Sequence, residues 1–187
     1  ASDVYKRQIY TSQFVPMARN VMGGTEAVAT LFLAAFSVGI ALGSIAVGRW
    51  LKGRISTRLC AGAGLVMALA GGDLWFSVAA VGSAPKDLAQ FFASAAGWRV
   101  LADLFGLALA GGVFSVPLYG VLQTAGPPQK RASAIAANNI INSLFQVAAV
   151  LAAGAAVGAG LGVPVVLAVS GLTVLLLLPA LRALDRA

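Results

Sequence analysis

Long apolar stretches separated by short polar connections make up most of this chain. Five of these stretches approach or exceed the roughly 20 residues that a helix needs to cross the hydrocarbon core of a bilayer. They are Thr25–Trp50, Thr57–Val81, Trp98–Gln123, Ala132–Gly154 and Val163–Leu181. A further stretch, Ile9–Met17, covers only half a span. The pattern predicts an all-α integral membrane protein with about five and a half transmembrane helices.

The connections contain residues that end helices or suit a membrane surface. Pro127 and Pro128 prevent helix continuation after the third full span. Gly158–Pro164 is an uncharged, glycine-rich turn before the last span. The mixed-charge loop Ser83–Asp87 precedes Leu88–Ala96, for which we predict a short helix at the membrane interface.

Basic residues divide unequally between the two ends of these spans. One side collects eight of them: Arg49, Lys52, Arg54, Arg58, Lys130, Arg131, Arg182 and Arg186. The other side collects three: Arg19, Lys86 and Arg99. Because cytoplasmic flanks carry an excess of Lys and Arg, the first side is predicted to be cytoplasmic, and with it the C-terminus.

Composition narrows the functional classes. The chain has 187 residues, of which 59% are hydrophobic and 10% charged, whereas soluble domains carry roughly a quarter charged residues. The net charge of +7 is scattered between apolar runs, which favours a role in topology over nucleic-acid binding. With one Cys and no His, we expect no intrachain disulfide, no Cys/His metal site, no cofactor and no histidine-based catalysis.

An amide stripe lies inside the fourth apolar span. Its members are Asn138, Asn139, Asn142 and Gln146, and residues three and four apart share one face of a helix. Lipid cannot satisfy their hydrogen bonds, so the stripe must face protein or water. One interpretation is hydrogen bonding between helices. The other, which we favour, is that the helix lines a solute pathway.

Charged residues near the predicted outer surface also need an explanation. Asp103 lies inside the third span, where an ionised carboxylate requires a partner or a wet cavity. It either forms a local pair with Arg99, four residues earlier, or has a function, in which it faces the pathway or acts in gating through a cation on another helix. Asp73, beside Trp75, is interpreted as interfacial. Arg19 is either a snorkelling anchor or a candidate gate charge for an anionic headgroup.

Small residues recur at helix-contact spacing in Gly39-x-x-x-Gly43, in the pair Gly111-Gly112 and in Gly154-x-x-x-Gly158. In membranes this spacing permits close helix contact. Ordinary packing is the simpler interpretation. Flexibility within a moving bundle is the alternative.

Two sets of residues resemble the major facilitator superfamily. Gly43, Arg49, Lys52 and Arg54 form a degenerate version of its basic loop motif, with Val47 at a position where the family usually has Asp. More specific are the runs Val21–Ile40, Arg99–Tyr119 and Ala134–Asn142. From about Ser12 to the C-terminus they resemble the bacterial lysophospholipid transporter branch.

The resemblance implies a fold, a substrate and partners. It implies that residues 9–187 are the C-terminal six-helix half of a transporter, whose missing N-terminal half completes the cavity. The implied activity is inward movement of lysophospholipids across the bacterial inner membrane, with membrane lipids and a fused or neighbouring acyltransferase as partners. Asp103 and Arg19 are the charges that the resemblance carries onto this sequence. Residues 1–8 resemble translated adapter sequence, and we expect the native chain to begin near Ile9.

Two other functions remain open at this stage. One is a major facilitator exporter of drugs or other small solutes. The other is the membrane module of a fused acyltransferase, although the sequence contains no His and therefore no His-x-x-x-x-Asp motif. We therefore expect a transporter without enzymatic activity of its own.

Overall fold

The described part of the structure, a computed structural model, is helical. It comprises residues 23–52, 56, 58–82, 87–124 and 127–160. The elements are α1 (Glu26–Leu51), α2 (Arg58–Val81), α3 (Leu88–Ala93), α4 (Ala95–Thr124), a short 3-10 turn (Pro128–Lys130) and α5 (Arg131–Gly158). Among these residues, four helical segments are long and apolar enough to cross a membrane. The prediction of an all-α membrane protein is confirmed.

Four predicted spans coincide with α1, α2, α4 and α5, and most of their ends agree to within a few residues. The predicted interfacial helix ends earlier than expected, at Ala93 rather than Ala96. Ser94 is extended (φ −95°, ψ 131°), and its side-chain oxygen accepts a hydrogen bond from Gly97 N at 2.9 Å. Ser94 therefore interrupts the helix, and the residues after it begin α4. The predicted segments Ile9–Met17 and Val163–Leu181 lie outside the described residues.

Helix α3 is held in place by a cap at its N-terminus and by a buried ring on its inner side. Asp87 caps its first turn by accepting from Gln90 N at 2.8 Å, and the Gln90 side chain accepts from Asp87 N at 3.2 Å. This reciprocal pair satisfies backbone donors that a helix start leaves open. On its inner side, Phe91 is buried and meets the Phe32 ring edge-on at 5.5 Å between centroids.

Helix α4 is the centre of the described fold, because it packs along both α1 and α2. One apolar core joins the predicted outer halves of these helices, with Phe32 from α1, Leu74 from α2, Phe91 from α3 and Leu104 from α4. A second, smaller core lies nearer the predicted cytoplasmic ends and is built around Val47. The two cores hold α1, α2 and α4 together along most of their length.

Glycines set the distance between α1 and α4. A Cβ placed on Gly39 would lie 2.8 Å from the Ala108 Cβ, and one on Gly43 would overlap the carbonyl group of Leu109. Gly112 in α4 likewise has the α1 backbone against it. The packing interpretation is confirmed for these three glycines, which allow the two backbones to touch.

Helix α5 is the least enclosed of the long helices. Among its described side chains none is buried, and Leu144, Phe145 and Leu151 are all at least 65% exposed. A Cβ on Gly154 or Gly158 would have nothing within 4 Å, so these two glycines make no close helix contact among the described residues. Helix α5 meets the remainder of the fold mainly through α4.

Candidate functional site

A groove of about 490 Å³ lies where α4 and α5 meet. Its lining comes from the last turns of α4 and the first half of α5: Phe114, Ser115, Leu118, Tyr119, Val121, Leu122, Asn138 and Asn142. On α4 these positions recur every three or four residues, which places them on one broad face of the helix. This wall of the groove was not predicted from the sequence.

The α5 wall of the groove presents two amides. Asn138 and Asn142 are four residues apart and both line it, as the helical spacing predicts. On the opposite wall, the Ser115 hydroxyl donates to Gly111 O at 2.8 Å, and its oxygen remains able to accept. The groove therefore combines apolar and aromatic side chains with a few hydrogen-bonding groups, a mixture typical of ligand sites.

The other two amides of the predicted stripe take different positions. Asn139 is exposed and does not line the groove, while Gln146 is half-buried one turn beyond Asn142. The structure thus brings together two of the four amides.

Asp103 lies far from this groove. It precedes Ser115 by twelve residues on α4, which corresponds to about 18 Å along the helix. Its side chain faces α2 and is 9% exposed, and Ser77 Oγ donates to Asp103 Oδ2 at 2.7 Å. Ser77 itself is fully buried. Ser77 was not predicted as a partner of Asp103, although a hydroxyl within an apolar helix is a recognisable signal.

Arg99 pairs across helices with Asp73. Its Nε donates to Asp73 Oδ2 at 2.8 Å, and Nη2 contacts Oδ1, so the guanidinium binds the carboxylate in a fork. The local pair with Asp103 was one of two alternatives from the sequence, but here the guanidinium hydrogen bonds go to α2. Asp73 is also a direct neighbour of the Asp103 carboxyl group. Together with Ser77, these residues form a polar cluster that ties α2 to α4.

The surroundings of the polar cluster agree with a position near a membrane interface. Arg99 is 53% exposed and Asp73 is 37% exposed at their side chains. Trp75 and Phe76, next to Asp73 on α2, are exposed and stack at 6.0 Å between ring centroids. Aromatic side chains of this kind concentrate where bilayer and water meet.

The predicted loop-motif residues have separate structural roles. Gly43 packs α1 against α4. Arg49 lies in the last turn of α1, and Lys52 ends it in a left-handed conformation with φ 46° and ψ 41°. Both basic side chains are exposed. Arg54 and the candidate gate charge Arg19 lie outside the described residues. Within the described ranges, no group of His, Cys, Asp and Glu is placed to hold a metal ion.

Comparison with known proteins does not assign the chain to a family. A scan against protein-family models found no match, and searches of curated proteins and of solved structures found none either. The resemblance to the major facilitator superfamily therefore depends on the loop motif and the residue runs alone. The four apolar helical segments identify a membrane protein independently of it.

Proposed function

We propose that the protein belongs to a transporter of the major facilitator type that moves lysophospholipids inward across the bacterial inner membrane by alternating access. The observation that carries the proposal is the groove between α4 and α5, with two amides on one wall and an apolar, aromatic surface on the other. The resemblance of three residue runs to lysophospholipid transporters supplies the substrate class.

The chemistry of the groove suits an amphiphile with one acyl chain. Phe114, Leu118 and Leu122 provide apolar surface for the chain. Asn138 and Asn142 provide both donors and acceptors for a polar headgroup. A volume of about 490 Å³ falls within the roughly 300–1,000 Å³ of ligand sites in proteins.

The membrane environment strengthens this argument. Amide groups inside a bilayer are costly unless a polar partner satisfies them, because hydrocarbon offers no hydrogen bonds. The opposite surface of the same helix is apolar at Ile140, Leu144 and Leu151. Helix α5 is thus suited to contact lipid on one side and a polar ligand on the other.

The test is uptake of lysophosphatidylethanolamine into proteoliposomes by a complete two-half transporter that contains this chain, with both groove amides replaced, Asn138→Leu with Asn142→Leu. Loss of two hydrogen bonds worth about 0.5–1.5 kcal/mol each predicts a reduction of about fivefold to 150-fold. Asn139→Leu is the matched control, because it removes the same group from the same helix outside the groove. Unchanged uptake in the double variant, or an equal loss in the control, would contradict the proposal.

The runner-up function, export of drugs or other small solutes, makes a different prediction in the same assay. In that case soluble solutes would bind in the groove and displace one another, whereas lysolipid would not displace them. Competition between the two ligand classes at equal protein expression separates these functions.

A further inference from the structure

We propose that Lys130 and Arg131 form a phosphate-binding site at the end of the α4–α5 groove, and that this site selects single-chain lipids that carry a phosphate. The inference rests on the proposed function, because it requires that the groove takes an amphiphile. It adds two residues whose only role in the sequence analysis was to set the membrane topology.

Helical geometry aligns Arg131 with the amides of the groove. Asn138 follows Arg131 by seven residues and Asn142 by eleven, and at about 100° per residue both lie within about 20° of Arg131 around the axis of α5. Arg131 is thus on the groove-lining face, about 10 Å along the helix from Asn138.

The groove leads toward these two basic residues. Its α4 wall reaches Leu122, two residues before α4 ends at Thr124. The connection to α5 then runs through a 3-10 turn that closes with a hydrogen bond from Lys130 N to Pro127 O at 2.9 Å. Lys130 and Arg131 therefore sit at the end of the groove where the two helices are joined.

The charges of the site match a phosphate. All residues that line the groove are formally uncharged, so only neutral amide and hydroxyl groups would meet the anionic group of a ligand there. Lys130 and Arg131 are exposed, and in the described ranges neither is paired with a carboxylate. The first turn of α5 contains no acidic residue. Two cations near the N-terminus of α5 are destabilised by the positive end of its helix dipole, and a bound anion relieves that repulsion.

A photo-crosslinking experiment tests the site. The probes are lysophosphatidylethanolamine and a monoacylglycerol, each with a diazirine in the same acyl chain, added to the full chain in lipid nanodiscs. Labelling of α4 residues 114–122 is measured by mass spectrometry. In the variant Lys130→Gln with Arg131→Gln, labelling by the phosphate lipid should fall by about tenfold or more, whereas labelling by the monoacylglycerol should stay the same.

The matched control removes another exposed basic pair on the same predicted side of the membrane, Arg49→Gln with Lys52→Gln. General attraction by positive charge would reduce labelling in both variants equally, and that result would overturn the inference. Conservative replacement, Lys130→Arg with Arg131→Lys, should keep labelling by the phosphate lipid. Equal loss of both probes in the Gln variant would also overturn it, because it would indicate a damaged groove.

Two further outcomes separate the possible failures. If both lipids label the unmodified groove and charge removal has no effect, the phosphate site is wrong while the proposed function stands. If neither lipid labels the unmodified groove, the proposed function fails and the phosphate site with it. Abolition of lysolipid labelling by equimolar inorganic phosphate would identify free phosphate as the ligand and overturn the selection for lipids.

Discussion

A single methyl group at Gly43 should force α1 and α4 apart. In Gly43→Ala the new Cβ would lie 2.9 Å from the carbonyl carbon of Leu109, whereas carbon atoms normally approach to about 3.5–4.0 Å. The helices must therefore separate by at least about 0.6–1.1 Å, because the obstacle is backbone and cannot change rotamer, and the Leu109 carbonyl oxygen lies closer still to the new Cβ. Overpacking of this kind costs about 1–3 kcal/mol.

Gly48 on the same helix provides a control, for which we expect no loss of stability. A Cβ on Gly48 would have nothing within 4 Å, so Gly48→Ala should leave stability unchanged or raise it by up to about 1 kcal/mol through helix propensity. The free energy of unfolding of both variants is measured by denaturant titration in mixed detergent micelles. Equal stability of Gly43→Ala and Gly48→Ala would refute the close contact between α1 and α4.

The polar cluster between α2 and α4 gives two more predictions. Ser77→Ala should lower the free energy of unfolding by about 1–3 kcal/mol, because the buried Asp103 carboxyl loses its hydrogen-bond donor. Adding Asp103→Leu to Ser77→Ala should recover part of this loss. If denaturant titration shows no recovery, that result would argue against the Ser77–Asp103 pair. Arg99→Gln should lower the melting temperature less than Ser77→Ala does, because the Arg99–Asp73 pair is exposed and open to screening by salt. A larger effect of Arg99→Gln that persists at high salt would contradict this ranking.

The helices were predictable because apolar runs of membrane length are nearly sufficient to define them. The boundary between α3 and α4 was not, since it depends on Ser94, whose hydroxyl donates to Phe91 O at the end of α3 and accepts from Gly97 N at the start of α4. Nothing in a stretch of apolar residues indicates that a single Ser ends a helix there.

The candidate site was only half predictable. Helical spacing correctly placed Asn138 and Asn142 on one face, because that relation is local. The facing wall from Phe114 to Leu122 was missed, since an apolar face looks the same whether it meets lipid, protein or a groove. Partners across helices, such as Ser77 for Asp103, depend on how two helices are set against each other, which spacing within one helix does not specify.

Among the residues that the structure describes, α5 is the least enclosed long helix, which has a consequence for how this part of the protein moves. Regions held by few buried contacts open at a lower free energy than tightly enclosed ones, so the backbone amides of α5 should exchange with solvent deuterium before those of α4. The asparagines are carried by this loosely held helix, while the glycine-packed helices opposite form the rigid part. Because the two buried cores contain no residue of α5, we expect a movement of α5 that widens the groove to leave those cores intact.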